Sequence, residues 1–366
     1  MLIGYTPMRN DDPRGQFYNW NTRRAHVIDI DANSERELAA QLIDRQNVST
    51  QLAGFSPDGR YAFVHQCCAD EANYFWEREH QTFRMTEGWL VDCVLVDLRT
   101  DEAANPTAVD RVSHYNTGLF YWPGDDSRLG FQALIDGISH PFSMDRDGRN
   151  KRNLTDGTAA FTYGFSAAPG GRRICYHKNY QVHIANADGS GAVHVDTGHP
   201  FQFCPSWSPD GRWLTFLDGE HYDCHPTLVA ADGTGARKLA DRQGHSGVIE
   251  MLEHPDFHSA SSDVPVWSPD SQWVHYTAMV DGALEMMRVS IDGQIERLTR
   301  SKAGTRNHHP AVSPDGRLVV FTSNTTGGNQ LHVLDLATRE HDAVTALPAG
   351  HMACHGHWGI DSGACK

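Results

Sequence analysis

The sequence predicts an all-β chain folded as a seven-bladed β-propeller. Three observations lead there: a strand-turn-strand segment that recurs six times, a partial seventh copy near the C-terminus, and strand-forming segments near the N-terminus that belong to no other copy. The six copies are GFSPDGRYAFVH from Gly54, LFYWPGDDSRLGFQA from Leu119, GFSAAPGGRRICYH from Gly164, PSWSPDGRWLTFL from Pro205, PVWSPDSQWVHYTA from Pro265 and PAVSPDGRLVVFTS from Pro310. Their turn prolines are Pro57, Pro123, Pro169, Pro209, Pro269 and Pro314, a spacing that suits four strands per unit with two insertions, at about 67–90 and 240–263.

Each copy has one physical grammar. An apolar strand meets a Pro-Asp-Gly type turn, where proline fixes φ and glycine supplies a permissive one, and a second alternating strand follows. A third strand and a turn such as NADGSG, AADGTG or SIDGQ complete the blade. In the seventh copy, HGHWGIDSG at 355–363 reads as a first strand with Trp358 where Trp207 and Trp267 stand. Its missing strands are expected from LIGYT (2–6) and RAHVIDIDA (24–32), so that the two ends of the chain share one blade and leave no open sheet edge. A six-bladed ring with an N-terminal appendage is the competing arrangement. All 366 residues are expected in a single propeller domain.

Composition narrows the function classes. With 46 acidic and 31 basic residues, a net charge of −15, the chain lacks the basic face that phosphate backbones require, which argues against nucleic acid as a partner. No stretch reaches the length of a membrane span, and the opening MLIGYTPMRNDDPRG has neither the basic nor the apolar region of a signal peptide. The expected location is cytoplasmic, or periplasmic or secreted if a signal has been removed. The eight cysteines lack the spacing of a compact disulfide framework, and Cys175 and Cys204 fall in strands where a thiol acts as a small hydrophobe.

In a four-stranded blade the segment leading into the inner strand and the turn joining the second and third strands share a face of the disc. That rule gathers histidines on one face: Asn307-His308-His309 and Cys354-His355-Gly356-His357 before inner strands, and DGISHP with His140, YHKNY with His177, Lys178 and Tyr180, and GEHYDCHP with His221, Tyr222, Cys224 and His225 in the turns. Imidazoles around an axial funnel can carry protons, bind a metal or, when charged, meet a carboxylate. Among 22 histidines some clustering is expected by chance, and His65, His332 and His341 read as ordinary core or surface residues. The string His221, Cys224 and His225, with His258 from the long insertion, supplies one thiolate and three imidazoles, the ligand set of a structural zinc site; the competing reading buries Cys224 and ties the histidines to backbone. The first insertion carries Trp76, Arg78 and Arg84, whose aromatic and guanidinium groups suit sugar stacking and carboxylate binding; a covering helix on the rim is the other reading.

The SPDG strands followed by DG turns, with Leu-Thr pairs at Leu154-Thr155 and Leu298-Thr299, resemble TolB-type propeller repeats. The turns HPFSMDRDG, YHKNYQVHIANADG and GEHYDCHP, with NHHPAVSPDG, resemble propeller polysaccharide lyases over residues 110–325, above all those acting on ulvan and more distantly oligogalacturonate lyases. That resemblance implies β-elimination on a uronate-containing oligosaccharide or polysaccharide, with His140 and His177 catalytic, Tyr180 or Tyr222 the proton carrier, and Lys178, Arg84 or Arg78 on the carboxylate beside Trp76 and His309. It implies a structural zinc, or alternatively a manganese or calcium ion near His308, His309, His355 and His357. The rival expectation is a non-catalytic TolB-like propeller that binds a protein or peptide at the funnel. A hydrolase is weakened by the lack of a funnel carboxylate pair, Asp263 being the one acidic candidate.

Overall fold

The computed structural model describes residues 1–45, 47–67, 70–80, 90–109, 119–135, 138–155, 162–221, 223–245, 248–249, 254–255 and 264–359. Seven four-stranded antiparallel sheets follow one another along the chain. Their inner strands are Ser49–Phe55, Phe120–Trp122, Thr162–Ala167, Phe201–Trp207, Val266–Trp267, Asn307–Val312 and His351–Gly359, for the first to seventh blades. The seventh blade is the expected clasp. Its inner strand comes from the C-terminal side and pairs with Leu2–Arg9, Leu2 opposite Gly359 and Gly4 opposite His357, while His26–Asp29 and Ser34–Glu37 supply the outer strands. The inner strand His351–Gly359 also packs on those of the sixth and first blades, which closes the ring and excludes six blades.

The repeated turn has a local cause. In SPDG the serine hydroxyl donates to the aspartate (Ser208 Oγ to Asp210, 2.7 Å) and accepts the backbone N–H that opens the next strand (Trp213 N to Ser208 Oγ, 3.0 Å). The core lies between blades: Cys175, Val182 and Ile184 of the third interlock with Trp207, Leu214, Phe216 and Val229 of the fourth. The Leu-Thr and DG signatures are two halves of another such contact. Gly189, in the third blade's DG turn, sits at φ 86° with a would-be Cβ 2.0 Å from the carbonyl oxygen of Leu154 in the second blade. Any side chain there must separate two blades as well as hold a left-handed backbone. Gly189→Ala is expected to cost about 3 kcal/mol, read as a lower denaturant midpoint with unchanged slope.

His275 lies within the fifth blade, 1% exposed, and burial followed by the nearby Arg288 charge pushes its pKa from 6.5 down to about 4. A histidine depressed in the folded state takes up its proton more readily when unfolded. Stability is therefore expected to be level above pH 6.5 and to fall from there toward pH 4, by at most about 1.4 kcal/mol per pH unit for this group. His275→Phe should flatten that part of the stability curve.

Between 240 and 263 the described residues show a two-stranded pair, Val248–Ile249 with His254–Pro255. The first-blade insertion carries the helix Glu71–His80, and the seventh blade's second-to-third connection carries the short helix Gln16–Trp20. No helix among the described residues is long and apolar enough to cross a membrane.

Candidate functional site

Four inner strands share one irregularity. Before the SPDG-type turn, two residues oppose a single residue of the second strand, a β-bulge, and the first of the two has positive φ: Gly164 (66°), Cys204 (50°), His309 (53°) and His355 (45°). The third blade meets this demand with glycine. The fourth, sixth and seventh keep side chains at a conformation that disfavours them by about 1–2 kcal/mol each. Strain retained at equivalent positions on the axial strands points to a use for those side chains.

His309 and His355, from neighbouring blades, stand with ring centroids 4.1 Å apart. His308 is 3% exposed and lies 4.8 Å from His309, Nδ1 to Nδ1 3.1 Å. Two Nδ1 atoms at that distance share one proton, so one ring keeps a basic Nε2 and the other presents Nε2–H. Two residues beyond His355, His357 has its pKa pushed down to about 4 by desolvation and then by His309.

The rim is built by turns on the same face. Asn179 (φ 50°) and Tyr180 (φ 63°) form the two-residue hairpin between Lys178 and Gln181, and the Tyr180 ring packs 5.5 Å from Phe201, 5.8 Å from Phe203 and 6.1 Å from His177. His177 is fully buried between strands, its ring 5.8 Å from Phe203. Lys178 is partly exposed at the end of its strand. The two helices pack together through Phe17 and Tyr74 (5.3 Å) and Tyr18 Oη donating to Glu71 (2.7 Å). They share a core with Met352 and Cys354, beside His355, and so wall one side of the axial group. On the longer helix Trp76 stacks on His80 at 4.2 Å and Arg78 donates to Tyr74 Oη at 3.3 Å.

Two predicted site histidines occupy a repeat position with a fold role. In the fourth, fifth and sixth blades the residue just before the outer-strand anchor of the third strand caps the exit of the fourth strand. Glu285 accepts the Ser301 N–H (2.6 Å), Gln330 accepts that of Leu347 (3.0 Å), and His225 Nδ1 accepts that of Arg242 (3.2 Å), each donor three residues past the outer-strand anchor. His140 holds the same position in the second blade, with Thr155 Oγ1 2.6 Å from its Nδ1.

Among the described residues, His221, Cys224 and His225 of the predicted zinc string do not converge on one point. Cys224 is buried, with Sγ 3.4 Å from Glu220 O, and adjacent strand residues alternate faces, so His225 turns the other way, toward Asp223 (3.2 Å) and Asp241 (3.7 Å). His221 is exposed against Phe201 at 5.3 Å. Tyr222, His258 and Arg84 lie outside the described residues. Among the described residues no group of three or more His, Cys, Asp or Glu is arranged to hold a metal ion, so they do not by themselves fit zinc, manganese or calcium. The axial strain was missed in the sequence, although Gly164, Cys204 and His309 each stand five residues before a turn proline.

The seven blades form a ring whose inner strands carry the His308, His309 and His355 group. The chain belongs to the family described as the TolB beta propeller domain, whose model matches residues 172–362. An uncharacterized protein of Agrobacterium fabrum is 31% identical over 120 residues, 32% of this chain and 34% of that protein, so the match spans about a third of that relative. Among solved structures, an oligogalacturonate lyase in complex with manganese matches with a TM-score of 0.58 at 15% identity, over 96% of this chain and 88% of that one. A puromycin-hydrolyzing peptidase of Mycobacterium tuberculosis gives 0.59 at 16%, over 90% of this chain and 50% of that one. At these identities the likeness is one of fold.

Proposed function

We propose that the chain is a carbohydrate lyase that binds a short uronate-containing oligosaccharide at the axial face and cleaves it by β-elimination. The observation that carries this reading is the His308, His309 and His355 group held on strained inner-strand bulges. In the reaction a basic imidazole Nε2 of this group takes the C5 proton, the C–H electrons form the C4–C5 double bond, the C4–O bond breaks, and the departing oxygen takes a proton from a neighbouring ring or from Tyr180. The substrate carboxylate needs positive charge or hydrogen-bond donors as negative charge develops, for which we take Lys178 and Arg78 among the described residues and Arg84 outside them. Proton transfer rests on His309 and His355, which are partly exposed, in preference to His140 and His177, which are 5% and 0% exposed. The oligogalacturonate lyase fold match supports the substrate class, and an acidic ulvan-type oligosaccharide is a second candidate.

A non-catalytic propeller that binds a protein or peptide is the second reading. It is favoured by the repeat role of His140 and His225, which removes two titratable groups from the chemistry of this face. The deciding measurement is the ultraviolet absorbance of 4,5-unsaturated uronate during incubation with oligogalacturonates and ulvan oligosaccharides, with and without added divalent manganese, calcium or zinc. A rise is expected with at least one substrate. Flat traces throughout, from folded protein, would reject the lyase reading in favour of the binding scaffold.

A further inference from the structure

The fourth blade buries a carboxylate that the repeat does not call for. Asp218, near the end of the second strand Trp213–Glu220, is 5% exposed and stands opposite His225. At the matching position, opposite His140, Glu285 and Gln330, the second, fifth and sixth blades carry Ala133, Ala278 and Ser323. Folding a blade therefore needs no acid there. Both Asp218 oxygens face the segment that leads into the inner strand Phe201–Trp207: Oδ1 accepts the Thr197 hydroxyl at 2.6 Å, and Oδ2 lies 2.7 Å from His199 Nδ1.

A carboxylate only accepts, so His199 keeps a proton on Nδ1 and its ring orientation is fixed. Its side chain is 49% exposed, and among the described residues Nε2 has no hydrogen-bond partner. Carboxylates orient histidines in this way where the far ring nitrogen has work to do. Two residues on, Phe201 is partly exposed, its ring 5.5 Å from Tyr180 and 5.3 Å from His221. Gln181 ties the Tyr180 hairpin to this segment, Nε2 donating to Pro200 O (2.8 Å) and Tyr180 O (2.9 Å). An aromatic surface with an oriented polar atom beside it matches a pyranose, whose C–H face packs on the ring and whose hydroxyls both donate and accept.

We infer that His199 and Phe201 form a sugar-binding subsite on the rim between the third and fourth blades, with Asp218 as the positioning residue that aims His199 Nε2 at a sugar hydroxyl. The ligand class rests on the lyase reading. His309 and His355 belong to the sixth and seventh blades, so the subsite holds a sugar unit other than the one at the reacting bond.

The test uses the intact chain with trigalacturonate and an ulvan tetrasaccharide. Binding is measured by isothermal titration calorimetry on the native protein and, so that ligand is not consumed, on His309→Gly. The His199 ring nitrogens are followed in long-range proton–nitrogen spectra, assigned by the signals missing from His199→Ala. Ligand should shift the His199 Nε2 resonance, and His199→Ala and Phe201→Ala should each weaken binding by about 3-fold to 10-fold. Asp218→Ala should let both tautomers of His199 appear in the free protein, which an aspartate of purely structural role would not do. If Phe201→Ala or Asp218→Ala fails to fold, His199→Ala and the Nε2 shift decide. Unchanged affinity in His199→Ala with an unmoved Nε2 signal, or no binding of either oligosaccharide, would overturn the subsite. Weakened binding in the variants with flat unsaturated-uronate absorbance would uphold the subsite and reject the lyase reading; turnover by the wild type with unaltered affinity in the variants would do the reverse.

Discussion

His309→Gly is expected to abolish turnover while leaving the melting temperature unchanged or raised. His309 holds φ 53°, a conformation glycine adopts without a Cβ penalty, so the substitution relieves about 1–2 kcal/mol of strain against a smaller entropic cost in the unfolded chain. Losing a proton carrier lowers a reaction of this kind by about 10²–10⁴-fold. His309→Ala should lose the same activity without the relief of strain. Comparing the two by differential scanning calorimetry and the uronate assay separates a site residue from a fold residue. A glycine variant that melts several degrees lower, or turns over at the wild-type rate, would remove His309 from the site.

Glu285→Ala is expected to lower the unfolding free energy by about 3–5 kcal/mol. The carboxylate is fully buried and accepts from Ser301 N (2.6 Å), Arg297 Nη2 (2.9 Å), Asn307 Nδ2 (3.3 Å), Ser301 Oγ (3.3 Å) and the Thr299 hydroxyl. Alanine would remove the one buried acceptor that these donors share, although Arg297 keeps Asp281 and Asn307 keeps Ser301 Oγ. Glu285→Gln keeps the shape and one acceptor and should cost roughly half as much. Because Asn307 opens the strand that carries His308 and His309, the alanine variant should also lower activity by loosening that strand; urea denaturation followed by tryptophan fluorescence measures the first effect. An alanine variant within about 1 kcal/mol of wild type would show that the network is not the anchor it is taken to be.

The contrast between His140 and His309 shows how far the sequence reaches. Both stand in recognisable copies of the repeat and both fall on the predicted face. His140 occupies a third-strand position that other blades fill with Glu285 or Gln330, so its fold role becomes visible only when its contact with the Thr155 hydroxyl, past its blade's fourth strand, is seen. His309 differs because the bulge breaks the alternation that places side chains by parity, and a bulge leaves little trace in composition. Cys224 and His225 illustrate the reverse case. Close in sequence, they read as one ligand set, yet strand alternation sends them to opposite faces.

By itself the sequence determined the propeller, its seven blades and the clasp, because turn chemistry and period-two alternation are local and repeat at every blade. The ends could be matched because each lacked what the other supplied. Only the tertiary structure decided which histidines meet. That depends on the ring bringing the sixth and seventh inner strands side by side and on bulges that turn His309 and His355 toward each other. Such contacts join residues far apart in the chain, and proximity across a closed ring is a property no local pattern encodes.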